Sequence, residues 1–172
     1  AISEINFLKN MVTQLSSARL CDQLNIMQVN IYSFIQQIMR TIHTFSWNDF
    51  TCNVILDEDI PPVELDPQLL KQAIFNIIKN ACEAMNHDGV ATLHVFCVND
   101  SLKITVTDQG GGLDSALADT IFQPFITSKT GGSGLGLVIT KQIIEAHHGT
   151  ISCESRPGDG CTFTISLPLM QN

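Results

Sequence analysis

The sequence predicts an α+β domain: a two-layer sandwich of a mixed, largely antiparallel sheet packed against helices, preceded by one further helix. Three observations carry this expectation. Strand signals fall at 50–56, 90–98, 102–107, 150–155 and 162–167. Apolar residues recur at helical spacing over 31–45, 67–86 and 134–146. Short turn signals join the later strands as hairpins, so hairpins outnumber crossovers and a doubly wound parallel sheet is disfavoured.

In chain order, Ile2, Ile5, Leu8, Val12 and Leu15 form a narrow apolar stripe on a helix over 2–18. Such a stripe suits a helix hairpin or dimer seam, and equally an ordinary surface helix. Residues 24–29 read as extended. Asn30 then caps a helix over 31–45 with Ile31, Phe34, Ile35, Ile38, Met39 and Ile42 inward. In "FTCNVIL", 50–56, the alternation of Phe50, Cys52, Val54 and Leu56 predicts a strand with one buried face, and Pro61–Pro62 end that unit. Asp66 as N-cap and Pro67 at the first helical position open helix 67–86, which stops at "NHDG". Strands 90–98 and 102–107 turn at Asn99–Asp100. Residues 110–133 lack periodicity and are too long for a plain connector, which suggests a lid. Helix 134–146 follows, then strands 150–155 and 162–167 around "RPGDG".

At 172 residues and 44% apolar composition, the chain can bury a proper core. It has no apolar run of about 18 residues, and "AISEINFLKN" lacks a signal-peptide layout. The expectation is a cytoplasmic segment without membrane contact. A net charge of −8 disfavours nucleic acid as a partner. It also requires any phosphorylated ligand to be held by local dipoles and a metal. The cysteines, Cys21, Cys52, Cys82, Cys97, Cys153 and Cys161, show no C-x-x-C spacing and read as reduced core thiols. Cys153 and Cys161 could face each other across the last hairpin, where the reducing compartment disfavours a disulfide.

Three stretches carry chemistry. "GGSGLGL", 131–137, fits neither the P-loop nor the dinucleotide fingerprint, since Lys129 precedes the glycines and no strand leads in. Its glycines still allow backbone N–H groups close to an anion, at a helix start carrying a positive partial charge. A flexible linker capping a helix is the competing reading. In "FNIIKNACEAM", Asn76, Asn80 and Glu83 share one helical face. Asparagines there either bond to nearby backbone or serve as hard oxygen ligands for Mg²⁺. In "ITVTDQGGGL", Asp108 ends a strand where Gly110 and Gly112 leave room for a flat ring, although Asp-x-Gly is also ordinary turn chemistry.

Together with "IFQPFITSK", 121–129, these stretches resemble the ATP-binding domain of sensor histidine kinases, in the superfamily shared with gyrase and the mismatch-repair ATPases. "NIIKNA" is similar to the N box, "DQGGG" to the D-x-G-x-G box, "FQPF" to the F box, and "GGSGLGL" and "GDGCTFTISLP" to the glycine boxes; the likeness covers about residues 50–168. It implies a Bergerat-type fold with ATP and Mg²⁺ as cofactors. Asn80 would ligate Mg²⁺, with Asn76 and Lys79 beside the phosphates. Asp108 would accept the adenine amine, with Gly110 and Gly112 lining the base and Thr162 near it. Thr127, Ser128 and Lys129 would meet the γ-phosphate at the lid. Gly132, Gly134, Leu135 and Gly136 would donate backbone N–H groups.

The resemblance also implies partners: a phosphoacceptor histidine helix of the full-length kinase, a response regulator receiver domain, and a homodimeric whole. Helix 2–18 resembles the second helix of the dimerisation hairpin. Residues 1–20 therefore read as its remnant and 21–172 as the catalytic domain. His43, His87, His94, His147 and His148 all lack the acceptor's setting, so the chain is expected to start after the acceptor, to bind ATP and not to phosphorylate itself. Two further departures concern the site. Glu83 stands where some members carry a base, with Lys79 as compensation, and Cys161 stands where many carry threonine. The rivals are a gyrase-type ATPase switch, a non-catalytic nucleotide-binding module and a serine kinase that controls a sigma factor. Asn76 disfavours the first, because an amide cannot act as the general base that the gyrase type has there.

Overall fold

The computed structural model describes residues 24–44, 49–118, 120–126 and 134–170. The helix expected over 2–18, and with it the division at residue 20, lies outside them. Strand β1 (Met27–Val29) leads into helix α1 (Ile31–His43), where Asn30 Oδ1 accepts from the Ser33 N–H at 3.0 Å. Strand β2 (Asp49–Leu56) and strand β3 (Val63–Leu65) follow. β3 was not expected; the prolines before it do not end the unit but precede an antiparallel pairing of Val63–Leu65 with β1. Three residues are too short to show a period, although Val63 and Leu65 are fully buried.

Helix α2 (Pro67–Ala84) starts as expected: Asp66 Oδ1 accepts from Gln68 and Leu69 N–H at 2.9 and 3.1 Å. Asp66 Oδ2 also accepts from the Asn25 N–H at 2.9 Å, joining the lead-in of β1 to the helix. α2 ends two residues before the expected boundary because Asn86 and His87 adopt φ of 54° and 63°, which no right-handed helix contains. Strands β4 (Asp88–Val98) and β5 (Ser101–Thr107) form the expected hairpin, with Asn99 and Asp100 both at positive φ as a type I′ turn demands. The irregular stretch contains a short helix, α3 (Ser115–Ala118). Helix α4 (Gly136–Ala146) begins after Gly134, whose φ of 64° excludes it from the helix predicted to start there. Strands β6 (Thr150–Ser155) and β7 (Cys161–Pro168) close the domain.

The larger sheet has strand order β2-β4-β5-β7-β6. β2 runs parallel to β4, and all other neighbours are antiparallel. The strand alternation sorts residues onto two faces. Leu93 and Val95 of β4, Leu102, Ile104 and Val106 of β5, and Ile165 and Leu167 of β7 form the buried face. They meet Ile74, Ile77 and Ile78 of α2, Ile143 and Ile144 of α4, and Phe34, Ile35 and Ile38 of α1 in one core. Thr105, Lys103, Thr164 and Ser166 occupy the other face, which no helix among the described residues covers. β2 departs from expectation: Val54 is 37% exposed, although Cys52 and Leu56 on the same face pack against the core.

A buried histidine joins the two central helices. His147 ends α4; its Nε2 accepts from the Asp66 N–H at 2.9 Å and its Nδ1–H donates to the Ile143 carbonyl at 2.7 Å. Only the neutral tautomer protonated on Nδ1 satisfies both. His147→Ala is expected to lower stability by about 2–4 kcal/mol, through a cavity and an orphaned amide at the start of α2. His147→Gln, which retains an acceptor, should recover part of it, as read from urea unfolding midpoints.

Candidate functional site

Asp108 extends the buried face of β5 by one step beyond Val106, so its side chain lies on the helix side of the sheet at 3% exposure. A buried carboxylate needs donors. Asp108 Oδ1 accepts from the Gly110 N–H at 2.9 Å and the Cys161 N–H at 3.2 Å, while the Asp108 N–H donates to the Cys161 carbonyl at 2.9 Å. The surrounding loops cross where only glycine fits. Gly112, at φ 67°, would place a Cβ 2.0 Å from the Arg156 oxygen, and Gly160, at φ 76°, would place one 2.1 Å from the Asp108 oxygen. The Gly158 N–H donates to the Gly111 carbonyl at 2.8 Å, and the Leu113 N–H to Ser155 Oγ at 2.7 Å. The "DQGGG" loop is thereby laced to the β6–β7 turn. Gly110 rests on the last turn of α2, where a Cβ would come within 3.0 Å of the Ala84 carbonyl.

The other end of the α2 polar face meets the start of α4. Asn76 Nδ2 donates to the Gly136 carbonyl at 3.3 Å and to Thr140 Oγ1 at 3.4 Å. Asn80 is half-buried one turn further along. Lys79 does not join this face; it is exposed, and its Nζ lies 3.8 Å from Glu83 Oε1. Leu135, the N-cap of α4, provides no side-chain cap, and a Cβ on Gly136 would meet nothing within 4 Å. A helix start with no side-chain cap bond, whose first residue faces open space among the described residues, suits an anion. From Asn76 to Ala84 the helix rises about 12 Å. One helix therefore separates the Asp108 loop from the α4 donors by about the reach of a nucleotide with its phosphates.

Gly134 closes the α4 approach. A Cβ there would lie 2.6 Å from Phe125 Cα, and the Phe125 N–H donates to the Gly134 carbonyl at 3.2 Å. Phe122 of the "FQPF" stretch packs edge-on against Phe163, with ring centroids 6.4 Å apart. Thr127, Ser128, Lys129 and Gly132 lie outside the described residues. The structure does not bring Thr162 to the site. Its Oγ1 lies 3.0 Å from Thr107 Oγ1 on the uncovered face of the sheet, opposite Asp108. The alternation of β7 reserves the inward position for Cys161, which the sequence reading noted only as a replaced threonine. Ala84, Thr140 and Ser155 were missed as well; their roles depend on contacts distant in sequence.

The fold and this site are those of a nucleotide-binding catalytic domain. Residues 65–171 match the family described as histidine kinase-, DNA gyrase B-, and HSP90-like ATPase, and the chain belongs to that family. It is 33% identical over 172 residues to the signal transduction histidine-protein kinase AtoS of Escherichia coli (strain K12), a match covering 98% of this chain and 28% of AtoS. It is 38% identical over 120 residues to the sensor histidine kinase ZraS of the same organism, covering 70% of this chain and 25% of ZraS. The catalytic domain of the histidine kinase ThkA, in a nucleotide-free form, superposes with a TM-score of 0.75 at 28% identity, over 86% of this chain and 97% of that one. The chain thus spans about a quarter of the length of these curated relatives.

Two glycine substitutions separate architecture from binding. Gly160→Ala should cost about 1–3 kcal/mol in urea unfolding, since it strains the backbone and collides with Asp108. Gly136→Ala should leave unfolding unchanged or slightly improved, yet weaken nucleotide binding severalfold in titration calorimetry, because its methyl group enters the anion seat.

Proposed function

We propose that this domain binds ATP with Mg²⁺ and presents the γ-phosphate to a histidine on a dimerisation helix of the full-length kinase. The observation that carries this reading is α2 itself. It holds the buried Asp108 loop against one end and the uncapped start of α4 against Asn76. Asp108 accepts the adenine amine, and Gly110 and Gly112 line the base. Gly132, Gly134, Leu135 and Gly136 offer backbone donors to the phosphates, and Thr127, Ser128 and Lys129 meet the γ-phosphate. Asn80 would offer Mg²⁺ a hard amide oxygen, and one protein ligand suffices for an ion that keeps most of its waters. Bound there, Mg²⁺ supplies the charge neutralisation that phosphoryl transfer needs, and that the chain's net charge of −8 does not provide.

Asn76 positions rather than reacts. Its Nδ2 is engaged with Gly136 and Thr140, and an amide cannot accept a proton from water, so hydrolysis is a poor alternative. The histidines of this segment are not acceptors in this reading. His147 is buried with both ring nitrogens bonded, His94 Nε2 pairs with Asp57 at 2.8 Å, and His87 Nδ1 lies 3.2 Å from Cys82 Sγ. The phosphoryl group passes from the acceptor histidine of a homodimer to a response regulator receiver domain, in the cytoplasm and without nucleic acid. No helix among the described residues is long and apolar enough to cross a membrane.

Titration calorimetry tests the reading. Binding of ATP should be clear with Mg²⁺ and at least tenfold weaker with chelator. Asp108→Ala should weaken it at least tenfold, and Asn80→Ala should remove most of the Mg²⁺ dependence. No heat from well-folded protein with ATP and Mg²⁺, or an Asp108→Ala variant of unchanged affinity, would falsify it.

A further inference from the structure

Thr140 sits one turn after Gly136 on α4 and is wholly inaccessible to solvent. A buried hydroxyl needs partners. The Thr140 hydroxyl donates to the Gly136 carbonyl at 2.9 Å, the bond to residue i−4 that threonine makes inside helices. With its proton committed there, Oγ1 offers only lone pairs to α2. Asn76 Nδ2 lies 3.4 Å from Oγ1 and 3.3 Å from the Gly136 carbonyl oxygen. Both partners are acceptors, and an amide meets two acceptors only through its NH₂ group. The two ends of an amide are nearly equal in size, so hydrogen bonding rather than packing chooses between them. Turned over, Asn76 would set Oδ1 against the Gly136 carbonyl oxygen, a contact with no proton to share.

We propose that Thr140 is a positioning residue for the metal: its hydroxyl holds the Asn76 amide so that Oδ1, not Nδ2, serves the Mg²⁺ that accompanies ATP. This role rests on the nucleotide reading of the site. Oδ1 has no hydrogen-bond partner among the described residues. Asn76 and Asn80 are neighbours on one helical face, with Cβ atoms roughly 5–6 Å apart. A neutral acceptor beside the ion that Asn80 would hold suits one of the waters that Mg²⁺ keeps. The same orientation withholds the NH₂ group from phosphate oxygens, which need donors. Thr140 thus favours ATP with its metal over ATP alone while touching neither. The Gly136 carbonyl is shared by Thr140 and Asn76, so one hydroxyl ties the metal-side amide to the first residue of α4.

The test titrates ATP calorimetrically at a series of Mg²⁺ concentrations, and follows the Asn76 side-chain NH₂ protons by NMR in the nucleotide-free protein. Thr140→Val keeps the shape and removes the hydroxyl; Thr140→Ala replaces it if valine folds poorly. The expected result is ATP binding in chelator equal to that of the unsubstituted protein, with at least threefold more Mg²⁺ needed for half of the metal-dependent gain in affinity. The Asn76 NH₂ protons should exchange with water at least threefold faster. Thr140→Ser, which restores the hydroxyl, should return both readings. An unchanged Mg²⁺ requirement overturns the role, and so does an equal loss with and without Mg²⁺ or a serine variant that behaves like valine. A raised Mg²⁺ requirement with unaltered NH₂ exchange overturns the part given to Asn76. Unsubstituted protein that binds no ATP overturns the nucleotide reading and the metal role with it, while the exchange rates still decide whether Thr140 holds the amide.

Discussion

The burial of one face of α2 governs the rest of the site. Ile74, Ile77 and Ile78 are wholly inaccessible and Ala81 is nearly so, pressed between the sheet and α4. Each isoleucine contributes roughly 1.5–3 kcal/mol by leaving water. A rotation of the helix by one residue would forfeit several such contributions, against about 1 kcal/mol per hydrogen bond that an asparagine could gain elsewhere. Core packing therefore decides where Asn76 and Asn80 face. The amides are the polar strip left when the apolar residues have taken the sheet and the flank of α4.

A second constraint operates at the other end of the helix. Burying Asp108 demands donors that cannot drift, and the chain supplies them from two loops that cross at van der Waals limits. The Gly110 amide comes from the Asp108 loop and the Cys161 amide from the start of β7. Gly112 and Gly160 permit the crossing, since a side chain at either would overlap a backbone carbonyl. The same closeness ties the adenine role proposed for Asp108 to the β6–β7 hairpin. A perturbation at Cys161 reaches Asp108 through two hydrogen bonds, one to its carboxylate and one from its backbone N–H, without passing through solvent.

The layers of the fold were legible because long elements carry their own period: α1, α2, α4 and the hairpin strands all lie within a few residues of their expected bounds. β3 was not legible, since three residues cannot display a period and the prolines before it read as an ending. The exposure of Val54 was hidden for another reason. Alternation says which residues share a face, not how deeply each of them is covered. At the site, Asp108 and the asparagines stood out as polar residues in apolar settings. Thr162 was assigned by motif position, and only the register of β7 against β5 shows that Cys161 is the inward neighbour. Lys79 is similar: the resemblance set it beside the phosphates, and its side chain is exposed, 3.8 Å from Glu83. Both cases show motif position narrowing a site without orienting every side chain.

The junction of Phe125 with Gly134 bears on how such a site meets its ligand. These residues are bonded to each other, and Gly134 has room for no side chain because Phe125 lies against it. Phe125 itself holds φ at 67°, a left-handed conformation that costs an aromatic residue about 1–2 kcal/mol. Phe122, three residues earlier, is set edge-on against Phe163 in the core. Whatever the residues between them do, their two attachment points are set by the folded domain. Lys129 is four residues from Phe125, no more than about 14 Å of extended chain. The donors at the start of α4 and the side chains proposed for the γ-phosphate are thus tethered to the same point. In the proposed binding mode, the fixed positions of Phe125 and Gly134 meet part of the ordering cost during folding, which suits a strongly acidic domain with few positive charges of its own.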